Sequence, residues 1–249
     1  MKLNKVFWGA AALAGAVAAP AVMAEGFSIG LGAAVGQYAY KGVDNDTLPY
    51  PMINYEGERF FIRGTGAGAY LLKDSRNQLS LNLFYSPLNF DPDDSNSRRM
   101  KLLDKRHSTA MAGLGYRHMA DWGIVRTSLS ADVLNYSNGY VADAAYLYPF
   151  DFGALTLTPG IGASWYSGNF NDYYYGISGK ESRRSGLSQY DAGSSWSPYA
   201  EISANYALTQ SWKTFAYARY TRLDDEVKDS PMVDKSYTTL FAAGVSYSF

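Results

Sequence analysis

The chain has 249 residues, 47% hydrophobic, 16% aromatic and only 18% charged, with a formal net charge of −1 and no cysteine. So many aromatics with so little charge exclude a disordered chain, and the lack of cysteine excludes a disulfide scaffold or a thiolate metal site. No basic excess points to a nucleic-acid partner.

Residues 1–24 read as a secretory leader. Lys2 and Lys5 precede an apolar run over residues 6–19, and Val22-Met23-Ala24 offers small residues for cleavage. Without Lys2 and Lys5, Lys+Arg falls from 22 to 20 against 23 Asp+Glu. The remainder, residues 25–249, holds no apolar run of the roughly 18 residues that a membrane-spanning helix requires.

From residue 27 onward the sequence alternates with the period of two that defines a strand. Phe27, Ile29, Leu31, Ala33 and Val35 share one face, against Ser28, Gly30, Gly32 and Ala34. The same pattern recurs around Leu79–Ser86, Val125–Val133, Leu157–Trp165 and Ala200–Leu208. At the end of the chain Tyr237, Thr239, Phe241, Ala243, Val245, Tyr247 and Phe249 share a face. The segments run about 9–13 residues, the tilted span of a bilayer, whereas ordinary strands average about 5–6. Tyr and Trp near the segment ends (Tyr85, Tyr116, Trp122, Trp165, Tyr206, Trp212 and Tyr220) suggest interfacial girdles. Short turns alternate with long polar connections.

The fold class expected is therefore all-β: an antiparallel transmembrane barrel of the outer membrane, facing lipid and lipopolysaccharide after export. About eleven segments can be counted, but a single-chain barrel takes an even number, so ten or twelve strands are expected and twelve is preferred. The count turns on residues 40–70, where Gly64, Gly66 and Gly68 mark a break or bend. Tyr247 and Phe249 at the end of the last strand suit an assembly signal.

No constellation in this pattern points to an enzyme, a cofactor or a metal. His107 and His118 lie at opposite ends of one strand, roughly 35 Å apart at about 3.3 Å per residue. His107 and Ser108 are adjacent and so point to opposite faces, which rules them out as a base and its nucleophile. The acidic run Phe90-Asp91-Pro92-Asp93-Asp94-Ser95 reads as a solvated loop or a weak Ca²⁺ site. Arg117, Arg126, Asp132 and Glu201 are expected to point into the lumen, with Asp143 a further candidate. They would either neutralise one another or line a narrow pore. The connection over residues 168–196 carries the most distinctive residues: Asp172, Tyr173, Tyr174, Tyr175, Gly176, Glu181, Ser185, Gly186, Leu187 and Tyr190. Such an aromatic and charged loop serves recognition, or packs on itself over the barrel mouth.

The run Asn171-Asp172-Tyr173-Tyr174-Tyr175-Gly176-Ile177-Ser178, with Glu181 and Ser185-Gly186-Leu187 after it, resembles the MipA/OmpV family of outer-membrane proteins. Leu48-Pro49, Ile53-Asn54-Tyr55, Tyr148-Pro149-Phe150 and Asp229-Ser230-Pro231 also fit, so the resemblance covers nearly all of residues 25–249. It implies a non-enzymatic scaffold that joins a murein-degrading lytic transglycosylase to a penicillin-binding protein in cell-wall assembly. A narrow channel for small solutes or antibiotics, and a surface adhesin, are the alternatives.

Overall fold

Each alternating segment becomes a strand with one small or polar face and one large apolar face. The computed structural model describes residues 26–249; the expected leader, residues 1–24, lies outside the described residues. The strand segments are β1 (Gly26–Gly36), β2 (Asp46–Glu56), β3 (Phe60–Arg63), β4 (Gly66–Lys73), β5 (Asn77–Ser86), β6 (Thr109–Ala120) and β7 (Gly123–Asp132). They continue with β8 (Tyr140–Leu147), β9 (Phe150–Phe152), β10 (Leu155–Tyr166), β11 (Ser195–Ala207), β12 (Trp212–Arg222) and β13 (Tyr237–Ser248). β8 and β9 pair with successive stretches of β10 and form one wall strand, interrupted at Tyr148-Pro149. β13 pairs with β1 from Ser28↔Ser248 to Gly36↔Leu240, which closes a barrel of twelve antiparallel strands.

The strand missing from the count of eleven lies in residues 60–73. These residues form the β3–β4 hairpin, which turns at Gly64-Thr65, where Gly64 takes φ +57°. That left-handed conformation favours glycine. A two-residue turn switches inward parity: Phe61 and Arg63 line the lumen before it, Gly66 and Tyr70 after it.

The hairpin is short and pairs with β2 only at Asn54, Tyr55 and Glu56. Gly64 N–H donates to the Ile53 carbonyl. The backbone groups of odd residues in β2 therefore face the hairpin side. Beyond Ile53 that edge has no strand partner among the described residues, and its odd positions include Pro51 and Pro49. Proline lacks the N–H that would be left unpaired there, so both residues suit a free edge.

The outer surface of the wall is apolar. Leu31 is 70% exposed, Ile161 65% and Leu83 54%. Trp122, Tyr206, Trp212 and Phe152 ring one end, and Tyr140, Trp196, Tyr220 and Tyr237 ring the other. A water-facing surface does not carry so large an apolar belt, whereas a lipid-facing one does. Among the described residues no helix is long and apolar enough to cross a membrane. Tight turns at residues 57–59, 74–76, 121–122, 153–154 and 208–211 close one end. The long connections, residues 37–45, 87–108, 167–194 and 223–236, gather at the other.

Candidate functional site: a lidded lumen

The long connections fold together as a lid. Residues 167–194 hold two short helices, α1 (Gly168–Tyr175) and α2 (Gly179–Ser185), and residues 223–236 hold α3 (Asp225–Lys228). Sequence alternation gave no sign of these helices, but their caps are local. The Ser167 hydroxyl accepts from Phe170 N–H at the start of α1. Ser178 and Glu181 form a capping box on α2, and Gly186 ends it in the left-handed conformation at φ +70°. Tyr40, Phe90, Met100, Ile177, Val227 and Met232 then pack as one buried apolar cluster that draws on four separate connections.

The quoted loop residues build this lid. Tyr174 is fully buried; its hydroxyl donates to the His107 carbonyl at 3.0 Å, and its own carbonyl accepts from Tyr40 at 3.2 Å. The Tyr173 oxygen accepts from His107 N–H at 2.8 Å. Tyr175 packs on Tyr40, with ring centroids 5.5 Å apart. Asp172 accepts from Gly176 N–H through its carbonyl and from Ala192 N–H through its carboxylate. Glu181 accepts from Arg106 at 2.8 Å and from Asp104 N–H at 3.0 Å. Ser185 donates to the Glu181 carbonyl, Leu187 packs on the apolar cluster, and the Tyr190 hydroxyl donates to the Glu226 carbonyl. Burial opposes ionisation of Glu181, but the Asp104 and Ser178 donors and the Arg106 charge outweigh it and hold the carboxyl below its usual range. Burial pushes the Tyr174 phenol up.

Two polar networks cross the lumen below. In the first, Arg126 donates to Glu201 at 3.0 Å, and Tyr217 donates to the other Glu201 oxygen at 2.8 Å. Tyr199 and Ser164 donate to Asp143 at 2.9 and 2.8 Å, and the Arg219 guanidinium stacks 3.4 Å from the Tyr199 ring centroid. In the second, Glu56 accepts from Arg63 at 2.9 Å and from Tyr70, while Lys73 lies 3.4 Å away. Between lid and networks lies a cavity of about 380 Å³.

Of the charges expected in the lumen, Arg126 and Glu201 are bonded to each other and Asp143 joins them, while Arg117 lines the cavity. Asp132 also faces inward, but at the long-loop end of β7. There it accepts from Thr109, Leu134 N–H, Ser137 N–H and Asn138 N–H and so fixes the β7–β8 loop, away from the cavity. Sequence reasoning missed Glu56, Arg63, Tyr70, Tyr199, Tyr217 and Arg219. Parity could have found them, because Glu56 shares its face with Met52, and Arg219 shares its face with Tyr217. The acidic run at residues 91–94 forms a capped turn in which Asp91 pairs with Lys105 at 2.6 Å. Among the described residues no group of three or more His, Asp or Glu is placed to hold a metal ion. Tyr247 and Phe249 sit at the seam, where Phe249 N–H donates to the Phe27 carbonyl and the Phe27 and Phe249 rings lie 5.7 Å apart.

A closed, even-stranded barrel with an apolar belt between two aromatic girdles is an outer-membrane β-barrel protein. Residues 29–249 match the family model of the MltA-interacting protein MipA, and the chain belongs to that family. It is 51% identical to the MltA-interacting protein of Escherichia coli (strain K12), over 94% of this chain and 95% of that one. It is 30% identical to the outer membrane protein OmpV of Vibrio cholerae, over 78% and 76%. Among solved structures, the translocator domain of the autotransporter NalP from Neisseria meningitidis matches with a TM-score of 0.50 and 12% identity. That match covers 91% of this chain and 89% of that one and bears on the fold alone.

Proposed function

We propose that this protein is a non-enzymatic scaffold of the outer membrane that binds a murein-degrading lytic transglycosylase on its periplasmic side, together with a penicillin-binding protein. The partner class comes from the family and from the name of the relative with 51% identity. The observation that carries the reading is the lid: four connections share one buried apolar core over one mouth of the barrel. An open diffusion pore has no use for such a core. Outer-membrane barrels keep short turns in the periplasm and long loops outside, so the lid faces the exterior and the short-turn end faces murein enzymes. Residues 1–24 are the export signal, removed before assembly, and N-terminal sequencing of the membrane-extracted protein is expected to begin near Glu25.

Affinity capture from cross-linked envelopes tests the scaffold. The protein is expected to bring down a lytic transglycosylase, and a variant lacking residues 173–187 is expected to do so equally well, because the lid lies on the opposite side. Capture that depends on the lid, or none at all, would overturn the reading. The cavity favours a second reading, a narrow channel. Conductance across planar bilayers separates the two.

A further inference from the structure

Arg117 differs from the other inward cations. Directly across from it stand Gln78 on β5 and Arg126 on β7. Like charges directly opposite each other destabilise a sheet. Arg126 is already held by Glu201 at 3.0 Å, and Arg63 by Glu56 at 2.9 Å. Among the described residues, no hydrogen bond or ion pair holds the Arg117 guanidinium. Burial and the charges of Arg63 and Arg126 oppose its own charge more than Tyr70 and the Glu56 carboxylate, already held by Arg63, favour it. An arginine set against arginines, with no carboxylate of its own, costs stability unless something else balances it.

The surroundings define what could balance it. Arg63, Tyr70, Gln78, Arg117 and Arg126 line the end of the cavity far from the lid. The two lumen networks and Arg117 together hold five cations, Arg63, Lys73, Arg117, Arg126 and Arg219, against three carboxylates, Glu56, Asp143 and Glu201. The excess is positive and is concentrated at the cavity floor. A guanidinium offers a planar fork of donors that fits carboxylate or phosphate oxygens with two parallel hydrogen bonds. Gln78 adds an amide donor beside it.

We propose that the cavity floor binds the carboxylate or phosphate group of a small solute, with Arg117 as its principal ligand and Arg126 and Gln78 as neighbours. The anion supplies the counter-charge that the wall withholds from Arg117. The site is independent of the scaffold reading, since it lies inside the barrel and involves no protein partner.

Titration calorimetry of the folded barrel in detergent micelles, with inorganic phosphate and with acetate as separate probes, tests this. The wild type is expected to bind at least one probe saturably; phosphate alone, acetate alone or both would name the oxyanion class. Arg117→Gln is expected to weaken that binding at least tenfold. Arg98→Gln, on an exposed connection, should leave it unchanged. Thermal unfolding in anion-poor buffer gives a second readout. Arg117→Gln removes a repulsion and should unfold at the same or a higher temperature, while losing the stabilisation that the bound probe gives the wild type. Absence of saturable binding to the wild type, or equal binding by Arg117→Gln, would overturn the site. So would a lower unfolding temperature for that variant without anion, because it would mark Arg117 as a structural residue.

Discussion

In the lid the large apolar side chains turn inward, and in the wall beneath it they turn outward. Tyr40, Phe90, Met100 and Met232 are 2% exposed or less, whereas Leu31, Ile161 and Phe241 are more than half exposed. The polar groups invert in the same way. Wall charges such as Glu201 and Arg126 meet inside the barrel, and lid charges such as Lys180 and Arg183 face out. One chain thus follows two opposite hydrophobic rules, because its lid meets water and its wall meets lipid. The lid is in effect a small water-soluble core built from four connections and set on a membrane barrel.

The comparison breaks first at Tyr174. Its ring is fully enclosed by the lid, and truncating a buried aromatic to alanine costs about 3–5 kcal/mol. Tyr174→Ala should speed hydrogen exchange throughout α1 and α2 while the wall strands keep their protection. Equal loosening of the wall would show that lid and barrel are one cooperative unit.

The wall is tested by a pair of neighbours on β7. Leu129 faces lipid and Ser128 lines the cavity. An arginine on the lipid face near the midplane costs about 2–4 kcal/mol. Leu129→Arg should therefore reduce the folding yield in lipid vesicles well below that of Ser128→Arg. The reverse order would mean that the faces are exchanged, as a one-residue slip requires.

Glu181 sharpens the comparison through pH. Its carboxyl is held below the ordinary value of 4.5 in the folded lid. A depressed folded value means that its stabilisation is complete above the ordinary value and is lost as pH falls through the folded one. Lid exchange should therefore accelerate at the acid end of a pH series and stay flat above it. Glu181→Gln leaves Arg106 without its counter-charge, a loss of about 1–3 kcal/mol. The variant should show the faster exchange at neutral pH with no further acid step.

Phe249→Ala is the mildest change to the finished barrel, since it removes only ring contacts with Phe27 and Tyr247 at the seam. It should slow insertion, read as less heat-modifiable protein in the outer membrane, with near-normal stability of the molecules that do assemble. Full insertion would remove Phe249 from the assembly signal.

How much of this was legible follows from the same contrast. The wall is written in a period of two, and residues 27–35 and 237–249 declare their faces without help from distant parts of the chain. The twelfth strand hid in residues 60–73 because the hairpin turn takes only Gly64-Thr65, so the run looks continuous until its parity switches. The lumen charges at Arg126 and Glu201 followed from parity, but Tyr217, which bonds Glu201, and Arg219, which stands opposite it, lie on β12, where aromatic and charged residues share one face. The lid showed no periodicity and was legible mainly in composition. Its helices are too short to show a repeat, and its core joins residues as distant as Tyr40 and Met232. The Ser178–Glu181 capping box and Gly186 were the local signals that a helix was present.

The most direct test of the closed lid is single-channel conductance in planar bilayers, comparing the full protein with a variant that lacks residues 173–187. The full protein is expected to stay closed at rest, and the variant, its barrel still folded and heat-modifiable, to open in discrete steps. Steady conductance by the full protein, unchanged by the deletion, would contradict it.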